Sequence, residues 1–315
     1  MTPVVLCAGE PLIVLTPTTG SARDAPELSV GAAGAELNVA VHLARLGVPA
    51  RFAGRVGDDP FGHRLRDTLV AEGVDVAALE LDPELPTGVY VKDPGPTGTA
   101  VLYYRRGSAA TRFDALAPGA LDGVGLVHLT GITPALSPAC ADLVARLLRD
   151  PDRRTSFDVN HRPALWPAAD AAEPLLAMAR LADTVFVGLD EANRLWHTAA
   201  PDDVRALLPA VPELVVKDGP HAATAYLPDG TASEPALPVD IVEPVGAGDA
   251  FAAGYLAARL TGGPVPGALR QGHVLAAAAL TATSDQGRAP DRRLLSAART
   301  GDGWPAAAPR PEATA

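Results

Sequence analysis

The chain has 315 residues, of which 48% are hydrophobic, which is enough to bury the core of one large α/β domain or of two ordinary ones. Its formal net charge is −11 and its pI is near 5.0. A nucleic-acid or an anionic-membrane partner would require a basic face, so this charge balance argues against both classes of partner.

The first apolar run, Val4–Ala8, is short, ends at Gly9 and Glu10, and follows no basic segment. These features predict a buried strand rather than a signal peptide. No apolar run reaches the ~20 residues that a membrane-spanning helix needs. Cys7 and Cys140 are isolated and lack metal-binding spacing, which fits a reducing compartment. We therefore expect a soluble, cytoplasmic protein.

Along the rest of the chain, apolar runs of strand length alternate with helical patterns, which indicates a mainly parallel sheet flanked by helices. The predicted strands of this sheet are Val4–Ala8, Arg51–Val56, Leu126–Thr130, Thr155–Val159, Thr184–Val187 and Leu214–Lys217. The predicted helices are Ala35–Leu46, Phe61–Glu72, Pro138–Arg149, Ala171–Leu181, Asp202–Leu208, Asp249–Leu260 and Pro266–Thr283.

Two strand-like segments interrupt this alternation, Gly88–Lys92 and Thr99–Arg106, and turn residues at 93–98 join them. Antiparallel strands inserted between α/β units do not easily join a parallel sheet, so we predict that this pair forms a small lid. Residues 301–315 are of low complexity and rich in alanine and proline, which predicts a disordered tail.

The segment Gly246-Ala247-Gly248-Asp249 leaves the backbone bare at the start of a predicted helix. Free N–H groups and the positive end of the helix dipole bind anions at such a place. Asp249 has two interpretations. Taken alone, it is better explained as an N-cap. The alternative is a base beside the anion hole, which takes a proton from a hydroxyl group that attacks a phosphate.

Small residues at 31–35 precede a helix that carries Asn38 near its start. Taken alone, this pattern favours a tight turn in which Asn38 caps the helix or packs. The alternative is that the bare backbone at Gly34 lets a small polyol approach, with Asn38 bonding to its hydroxyl groups. The Gly-x-Gly-x-x-Gly spacing of a dinucleotide site is missing, which disfavours a nicotinamide oxidoreductase.

A cluster of two tyrosines and two arginines, at 103–106, ends a predicted lid strand. Such a cluster suits a ligand that carries a carboxylate, because arginine can hold a carboxylate through two hydrogen bonds.

Two further cations follow strands of the predicted parallel sheet. Arg162 lies just past Thr155–Val159, in the segment Asp-Val-Asn-His-Arg-Pro. Open α/β sheets bind ligands at the carboxyl ends of their strands. A lone arginine there would more often lie on the surface. With the second arginine cluster in the chain, a ligand-binding role and a surface position are about equally well supported. Lys217, one of two lysines in the chain, ends another strand, where a nucleotide phosphate could lie.

Taken in order, these motifs resemble the ribokinase/PfkB carbohydrate kinase family, and most closely its 2-keto-3-deoxygluconate kinase branch. The resemblance covers about residues 4–295. Pro-Val-Gly-Ala-Gly-Asp-Ala-Phe at 244–251 is highly specific for the family, while Tyr-Tyr-Arg and Asn-x-Arg-Pro narrow the substrate moderately.

The resemblance implies a Rossmann-like three-layer sandwich with a small β-sheet lid, a ribokinase-like fold. It implies one kinase domain over residues 1–300, with lid strands from about 10–31 and 86–107. It also implies ATP and Mg²⁺ as cofactors, leaves a monovalent cation open, and suggests a homodimer or higher oligomer formed through the lids.

The resemblance assigns roles to individual residues. Asp249 becomes the base, and the backbone amides of Gly246, Ala247, Gly248 and Asp249 form the anion hole. The sugar acid is assigned to Gly34, Asn38, Tyr90, Tyr104, Arg105 and Arg162. Tyr103 is a near alternative to Tyr104, because neighbours on a strand face opposite ways. The nucleotide is assigned to Lys217, Gly219, Gly246, Gly248 and His273. Glu191 is assigned to Mg²⁺ through water.

The sequence also departs from the family pattern. The Asn of an Asn-x-x-Glu motif is replaced by Gly188, although Glu191 remains. Glu243 stands where the family commonly has Asp, Ala222 where it has a second Gly, and His273 where an Asn often lines the adenine pocket. These departures concern nucleotide affinity and the choice of phosphate donor more than the chemistry.

We therefore predict an ATP-dependent kinase that phosphorylates a sugar acid, with the 6-hydroxyl of 2-keto-3-deoxygluconate as the acceptor. A carboxylate at one end of the substrate would pair with Arg105 and Arg162, while Asp249 would accept the proton of the hydroxyl group at the other end. One alternative is a kinase for a neutral sugar such as fructose or ribose. Another is a catalytically silent sugar-binding regulator, which the intact Asp249 and glycines disfavour.

Overall fold

The computed structural model describes residues 2–95 and 98–304. Its strands are β1 (Val4–Ala8), β2 (Leu12–Pro17), β3 (Leu28–Ala33), β4 (Ala50–Gly57), β5 (Asp75–Asp82), β6 (Val89–Gly95), β7 (Gly98–Tyr104), β8 (Val124–Thr130), β9 (Arg154–Asp158), β10 (Thr184–Gly188), β11 (Glu213–Asp218), β12 (Ala222–Leu227) and β13 (Gly230–Pro235). Its α-helices are α1 (Ala35–Arg45), α2 (Pro60–Ala71), α3 (Pro138–Leu148), α4 (Ala168–Ala179), α5 (Leu189–Trp196), α6 (Pro201–Leu207), α7 (Ala247–Leu260), α8 (Val265–Leu280) and α9 (Arg292–Thr300).

Nine of the described strands form a large sheet in the order β13-β12-β11-β10-β9-β8-β1-β4-β5. The pairs from β11 to β5 are parallel, and β12 and β13 add an antiparallel hairpin at one edge. The predicted mainly parallel sheet is confirmed. The strands β5, β12 and β13 and the helices α5 and α9 are not among the predicted elements. The sequence of β13, GTASEP, has no alternating apolar pattern, and β5 mixes acidic with apolar residues, so neither carries the signal of a buried strand.

Helices cover both faces of the large sheet. Successive side chains of a strand point to opposite faces, and β1 shows the consequence. Cys7 packs in a core cluster with residues of α1, α7 and α8, whereas Leu6 packs in a second cluster with residues of α3 and α4. The fold is therefore a three-layer α/β/α sandwich, as predicted.

Four of the described strands form a separate small sheet in the order β3-β2-β6-β7. β2 and β6 are parallel, and the other pairs are antiparallel. One face of this sheet buries Leu12, Val14 and Tyr90. The other face carries Leu102 and Tyr104, whose exposed fractions are 44% and 66%.

Residues 301–304, which we predicted as the start of a disordered tail, form the turn that ends α9, and Trp304 packs against the core. Residues 305–315 lie outside the described part of the chain. In that part, no helix is both long enough and apolar enough to span a bilayer.

Candidate active site

A cavity of about 1110 Å³ lies between the small sheet, the carboxyl ends of the central strands and the start of α7. The large sheet brings these parts together because the residues after β1, β9, β10 and β11 all leave it at the same edge. Among the predicted site residues, the cavity is lined by Gly34, Asn38, Tyr90, Arg105, Arg162, Glu191, Lys217, Gly219, Gly246, Ala247, Gly248, Asp249 and His273. Tyr104 is the one predicted site residue that does not line it.

The helix α7 begins at the predicted anion hole. Gly246 is its N-cap and has a φ of 88°, a left-handed conformation that favours glycine. A Cβ at Gly246 would also lie 2.3 Å from the carbonyl oxygen of Asp285. A Cβ at Gly248 would lie 3.4 Å from Nζ of Lys217, which places an ammonium group beside the first turn of the helix. The N–H groups of such a first turn have no intrahelical acceptor, so an anion can bind there.

Asp249 is not the N-cap of α7, so the capping interpretation is wrong. It is the third residue of the helix, and its carboxylate accepts hydrogen bonds from two side-chain amides. Nδ2 of Asn38 lies 2.8 Å from Oδ2, and Nδ2 of Asn160 lies 3.0 Å from Oδ1. The side chain is only 5% exposed and lines the cavity.

The surroundings of Asp249 also set its protonation. Burial raises the pKa of Asp249 to about 7, although the hydrogen bond from Asn38 and the charges of Arg162 and Lys217 oppose the shift. A carboxylate with a pKa near the pH of the cell can both accept and release a proton, which is what general-base chemistry requires.

Asn38 positions this carboxylate. Its amide nitrogen donates to Asp249, and its Oδ1 accepts a hydrogen bond of 2.8 Å from Nε2 of Gln286. The Asn38 side chain is therefore engaged at both ends by the protein.

Asn160, which is not among the predicted site residues, also lies in the cavity. Its φ of 40° is in the left-handed region, and its buried Oδ1 has no hydrogen-bond donor among the described residues. A buried acceptor without a donor carries a free-energy cost, which a ligand hydroxyl group would remove. The signal for this residue was its place directly beyond the carboxyl end of a central strand.

Arg105 lies in the cavity wall and is 7% exposed. It makes a buried ion pair with Glu10, whose other oxygen accepts a 2.9 Å hydrogen bond from Ser108. Burial raises the pKa of the Glu10 carboxyl, and Arg105 opposes that shift. Glu10 is not among the predicted site residues, although it follows β1 at the same sheet edge as they do.

The structure corrects the choice between the two lid tyrosines. Tyr104 faces away from the cavity and is 66% exposed. Tyr103 faces inward, where its ring centroid lies 5.7 Å from that of Tyr90 and 5.4 Å from Cζ of Arg105. Neighbours on a strand point to opposite faces, so β7 can present only one of them. The pattern of the sequence did not reveal which.

A group of charged side chains also lines the cavity. Nζ of Lys217 is 2.8 Å from Oδ2 of Asp158, and Nη1 of Arg162 is 3.8 Å from Oε1 of Glu191. Glu191 also accepts a 2.9 Å hydrogen bond from the backbone of Gly188, at the start of α5. Burial and the charge of Asp158 raise the pKa of Glu191.

Between 2–95 and 98–304, no three His, Cys, Asp or Glu side chains form a metal-binding group. Magnesium in nucleotide sites is held by one or two carboxylates together with the phosphates. Glu191 and Asp158 fit that smaller requirement.

His273 lines the part of the cavity near α8. Its Nε2 lies 3.0 Å from the carbonyl oxygen of Glu234, and its ring meets Phe251 edge-on at 5.1 Å between centroids. Burial lowers the pKa of His273 to about 4, so the imidazole is neutral at neutral pH. A neutral ring beside Phe251 gives this end of the cavity an apolar, aromatic wall.

Comparison with known proteins shows what this chain is similar to. The profile of the pfkB family carbohydrate kinases matches residues 4–292. A 2-dehydro-3-deoxygluconokinase of Bacillus subtilis (strain 168) is 36% identical over 299 residues, which cover 89% of this chain and 91% of the relative. The probable fructokinase-6 of Arabidopsis thaliana is 34% identical over 269 residues, which cover 81% and 69%. A solved structure of a PfkB protein from Polaromonas sp. JS666 has a TM-score of 0.79 at 30% identity, covering 91% of this chain and 98% of its own.

Proposed function

Since this chain belongs to the pfkB family of carbohydrate kinases and has a ribokinase-like fold, we propose that it transfers a phosphoryl group from ATP to the 6-hydroxyl of 2-keto-3-deoxygluconate or a close sugar acid. The name 2-dehydro-3-deoxygluconate describes the same compound. The observation that carries the proposal is Asp249, a buried carboxylate with a pKa of about 7 beside a helix start that suits phosphate. Arg105 and Arg162 line the same cavity and provide positive charge for a substrate carboxylate.

The reaction follows from these positions. Asp249 accepts the proton of the sugar hydroxyl as that oxygen forms a bond to the γ-phosphorus of ATP. The bond from that phosphorus to the bridging oxygen breaks, and ADP leaves. The first N–H groups of α7 and the ammonium of Lys217 stabilise the charge on the transferred group. Asn38 and Asn160 hold the carboxylate in place during the transfer.

The nucleotide would lie between Lys217, Gly219 and His273, which line the cavity away from the small sheet. Magnesium, when bound with ATP, would neutralise part of the phosphate charge. Glu191 would hold it through water, with Asp158 beside it. Lys217 and the start of α7 then contact the phosphates from the protein side.

We propose that the small sheet acts as a lid, because Tyr90, Tyr103 and Arg105 reach the cavity from it. A lid would exclude water that could otherwise hydrolyse ATP.

The outer face of the sheet exposes Leu102 and Tyr104, which supports a homodimer formed through this face. We further propose that residues 1–300 act as one kinase domain in the cytoplasm.

One observation favours a second candidate, a kinase for a neutral sugar such as fructose. Arg105 already has a carboxylate partner in Glu10. A neutral sugar in the closed site would therefore not leave the charge of Arg105 unpaired. The similarity to a protein named as a probable fructokinase points the same way. Arg162, whose side chain is 36% exposed and 3.8 Å from Glu191, stays more open to a substrate carboxylate.

A coupled assay of ADP release decides between the two candidates. The panel contains 2-keto-3-deoxygluconate, its galacto epimer, fructose and ribose, with wild-type protein and the variants Arg105→Ala and Arg162→Ala. We expect the sugar acid to be preferred and each variant to lower kcat/KM for it by at least tenfold, since a hydrogen bond to a charged group contributes ~1.5–3 kcal/mol. If both variants retain wild-type kcat/KM on the preferred substrate, the sugar-acid proposal is overturned.

A further inference from the structure

Lys92 is a lysine that the kinase mechanism above does not use. It lies on β6, two residues after Tyr90, and its side chain is only 1% exposed. A buried ammonium group is costly unless oxygen atoms surround it. The surroundings of Lys92 supply them.

Two buried carboxylates hold the Lys92 ammonium. Its Nζ lies 2.7 Å from Oδ1 of Asp285 and 3.2 Å from Oε2 of Glu243. The carbonyl oxygen of Thr283 is 3.5 Å away. Tyr90 donates a hydrogen bond to the other oxygen of Asp285, so two neighbours on one face of the small sheet meet the same carboxylate.

Glu243 and Asp285 both contact the segment that forms the anion hole. Oε1 of Glu243 accepts a 3.1 Å hydrogen bond from the backbone of Val245, directly before Gly246. The backbone of Asp285 packs so closely against Gly246 that a Cβ there would lie 2.3 Å from its carbonyl oxygen. The ammonium therefore holds together the two segments that shape the start of α7.

A group of carboxylate and carbonyl oxygens around one positive charge is also what a potassium or ammonium ion would occupy. An alkylammonium and a potassium ion carry the same charge, have similar radii and attract the same oxygen atoms. In this chain the place between Glu243 and Asp285 is taken by a covalently attached cation, so a free monovalent cation does not fit there.

We propose that Lys92 is the built-in cation of this kinase: its ammonium fixes the anion-hole loop through Glu243 and Asp285, so phosphoryl transfer requires no added monovalent cation. Lys92 is a positioning residue, since it acts on the anion hole from behind the cavity wall. The proposal rests on the kinase activity but on no particular acceptor sugar.

The first arm of the test uses the wild-type protein. Its kcat is measured with MgATP and the best acceptor of the panel, in choline chloride, KCl and NH4Cl at constant ionic strength. We expect the same kcat in the three salts to within about twofold, which is below the effect of one lost anion-hole donor. A saturable rise in kcat with K⁺ or NH4⁺ would overturn the proposal.

The second arm uses Lys92→Met, which removes the charge and keeps much of the side-chain volume. In choline we expect kcat to fall at least about tenfold, because the anion hole loses its alignment. Potassium and ammonium, but not choline, are expected to restore kcat several-fold and to raise the melting temperature of the variant. A purely structural lysine would produce no such dependence on the kind of cation.

Two controls locate the effect. Arg23→Met removes an exposed cation from the connection between β2 and β3 and should behave as wild type in every salt. The double variant Lys92→Met/Glu243→Gln should lose the response to K⁺, because one of the two carboxylates is gone. A response that persists in the double variant, or an absence of K⁺ response in Lys92→Met, would contradict the proposal.

Folding and activity are read separately. If Lys92→Met folds in KCl but not in choline, that difference is itself the expected cation dependence. If it folds in neither, the wild-type arm decides. The melting temperatures need no acceptor, so an error in the proposed sugar changes the panel result and leaves the cation result intact.

Discussion

Two buried carboxylates line the same cavity, Asp249 at the start of α7 and Glu10 after β1, but they have different partners. Asp249 receives neutral amide groups from Asn38 and Asn160, and its pKa rises to about 7. Glu10 faces the guanidinium of Arg105 and the hydroxyl of Ser108. An amide orients a carboxylate without compensating its full charge, whereas a guanidinium compensates it. Asp249 is thus suited to take up a proton, and Glu10 to place a cation.

The largest effect is expected from Asp249→Asn. The variant keeps the shape of the side chain but cannot take the hydroxyl proton, so kcat should fall by ~10²–10⁴. Binding of the sugar, measured by calorimetry, should remain. If the variant turns over at nearly the wild-type rate, Asp249 is not the base. If the wild-type protein itself shows no turnover, the silent regulator is favoured.

The protonation of Asp249 should also be visible in the pH profile. Burial holds its pKa at about 7 in the folded protein, above the ordinary value of 3.8, and the deprotonated form is the active one. The rate should therefore be full above pH 7 and fall by about tenfold for each pH unit well below 7. Initial rates from pH 5 to 9 measure this. An acid limb with a midpoint near 4 would contradict the raised pKa of Asp249 and its assignment as the base.

A smaller effect is expected from Glu10→Gln, which removes the charge that balances Arg105. With Arg105 uncompensated, KM for the sugar acid should fall by about fivefold, corresponding to ~1 kcal/mol, and KM for fructose should not fall. Glu84→Gln, at an exposed glutamate paired with Arg112, is the matched control. A rise in KM for both sugars would mean that Glu10 mainly holds Arg105 in position.

The smallest effects separate the two neighbouring tyrosines. Tyr103→Leu removes the ring next to Arg105 and should raise KM several-fold, in the range of ~0.5–2 kcal/mol for a cation on an aromatic ring. Tyr104→Leu changes an exposed side chain and should leave both kcat and KM within about twofold of wild type. Equal losses in the two variants would contradict the orientation of β7.

The parts of the site that could be predicted from sequence are those carried by local backbone requirements. Gly246 has a left-handed φ, and Gly248 leaves room beside Lys217. Because only glycine meets both requirements easily, the Gly-Ala-Gly-Asp motif can be recognised in the sequence. Arg162 and Lys217 were found because they follow apolar strands. Glu10 and Asn160 occupy the same kind of position, but a Glu or Asn after a strand is too common to be selected without its partners.

Other features depended on contacts between distant segments. Asn38 lines the cavity, as predicted for a residue that binds the sugar, but its contacts with Asp249 and Gln286, more than two hundred residues further along the chain, could not be read from the sequence. Lys92 looked like an ordinary residue of a lid strand. Its partners, Glu243 and Asp285, become visible only when the small sheet lies against the start of α7.

The sequence by itself determined the mainly parallel sheet, the helix start at 246–249 and the kinase family, because periodicity and glycine-rich turns are local properties of the chain. The tertiary structure decided which groups share the cavity and which partners each buried carboxylate has. The reason is physical: the pKa of Asp249 and the pairing of Arg105 depend on burial and on neighbours that only the folded chain brings within hydrogen-bond distance.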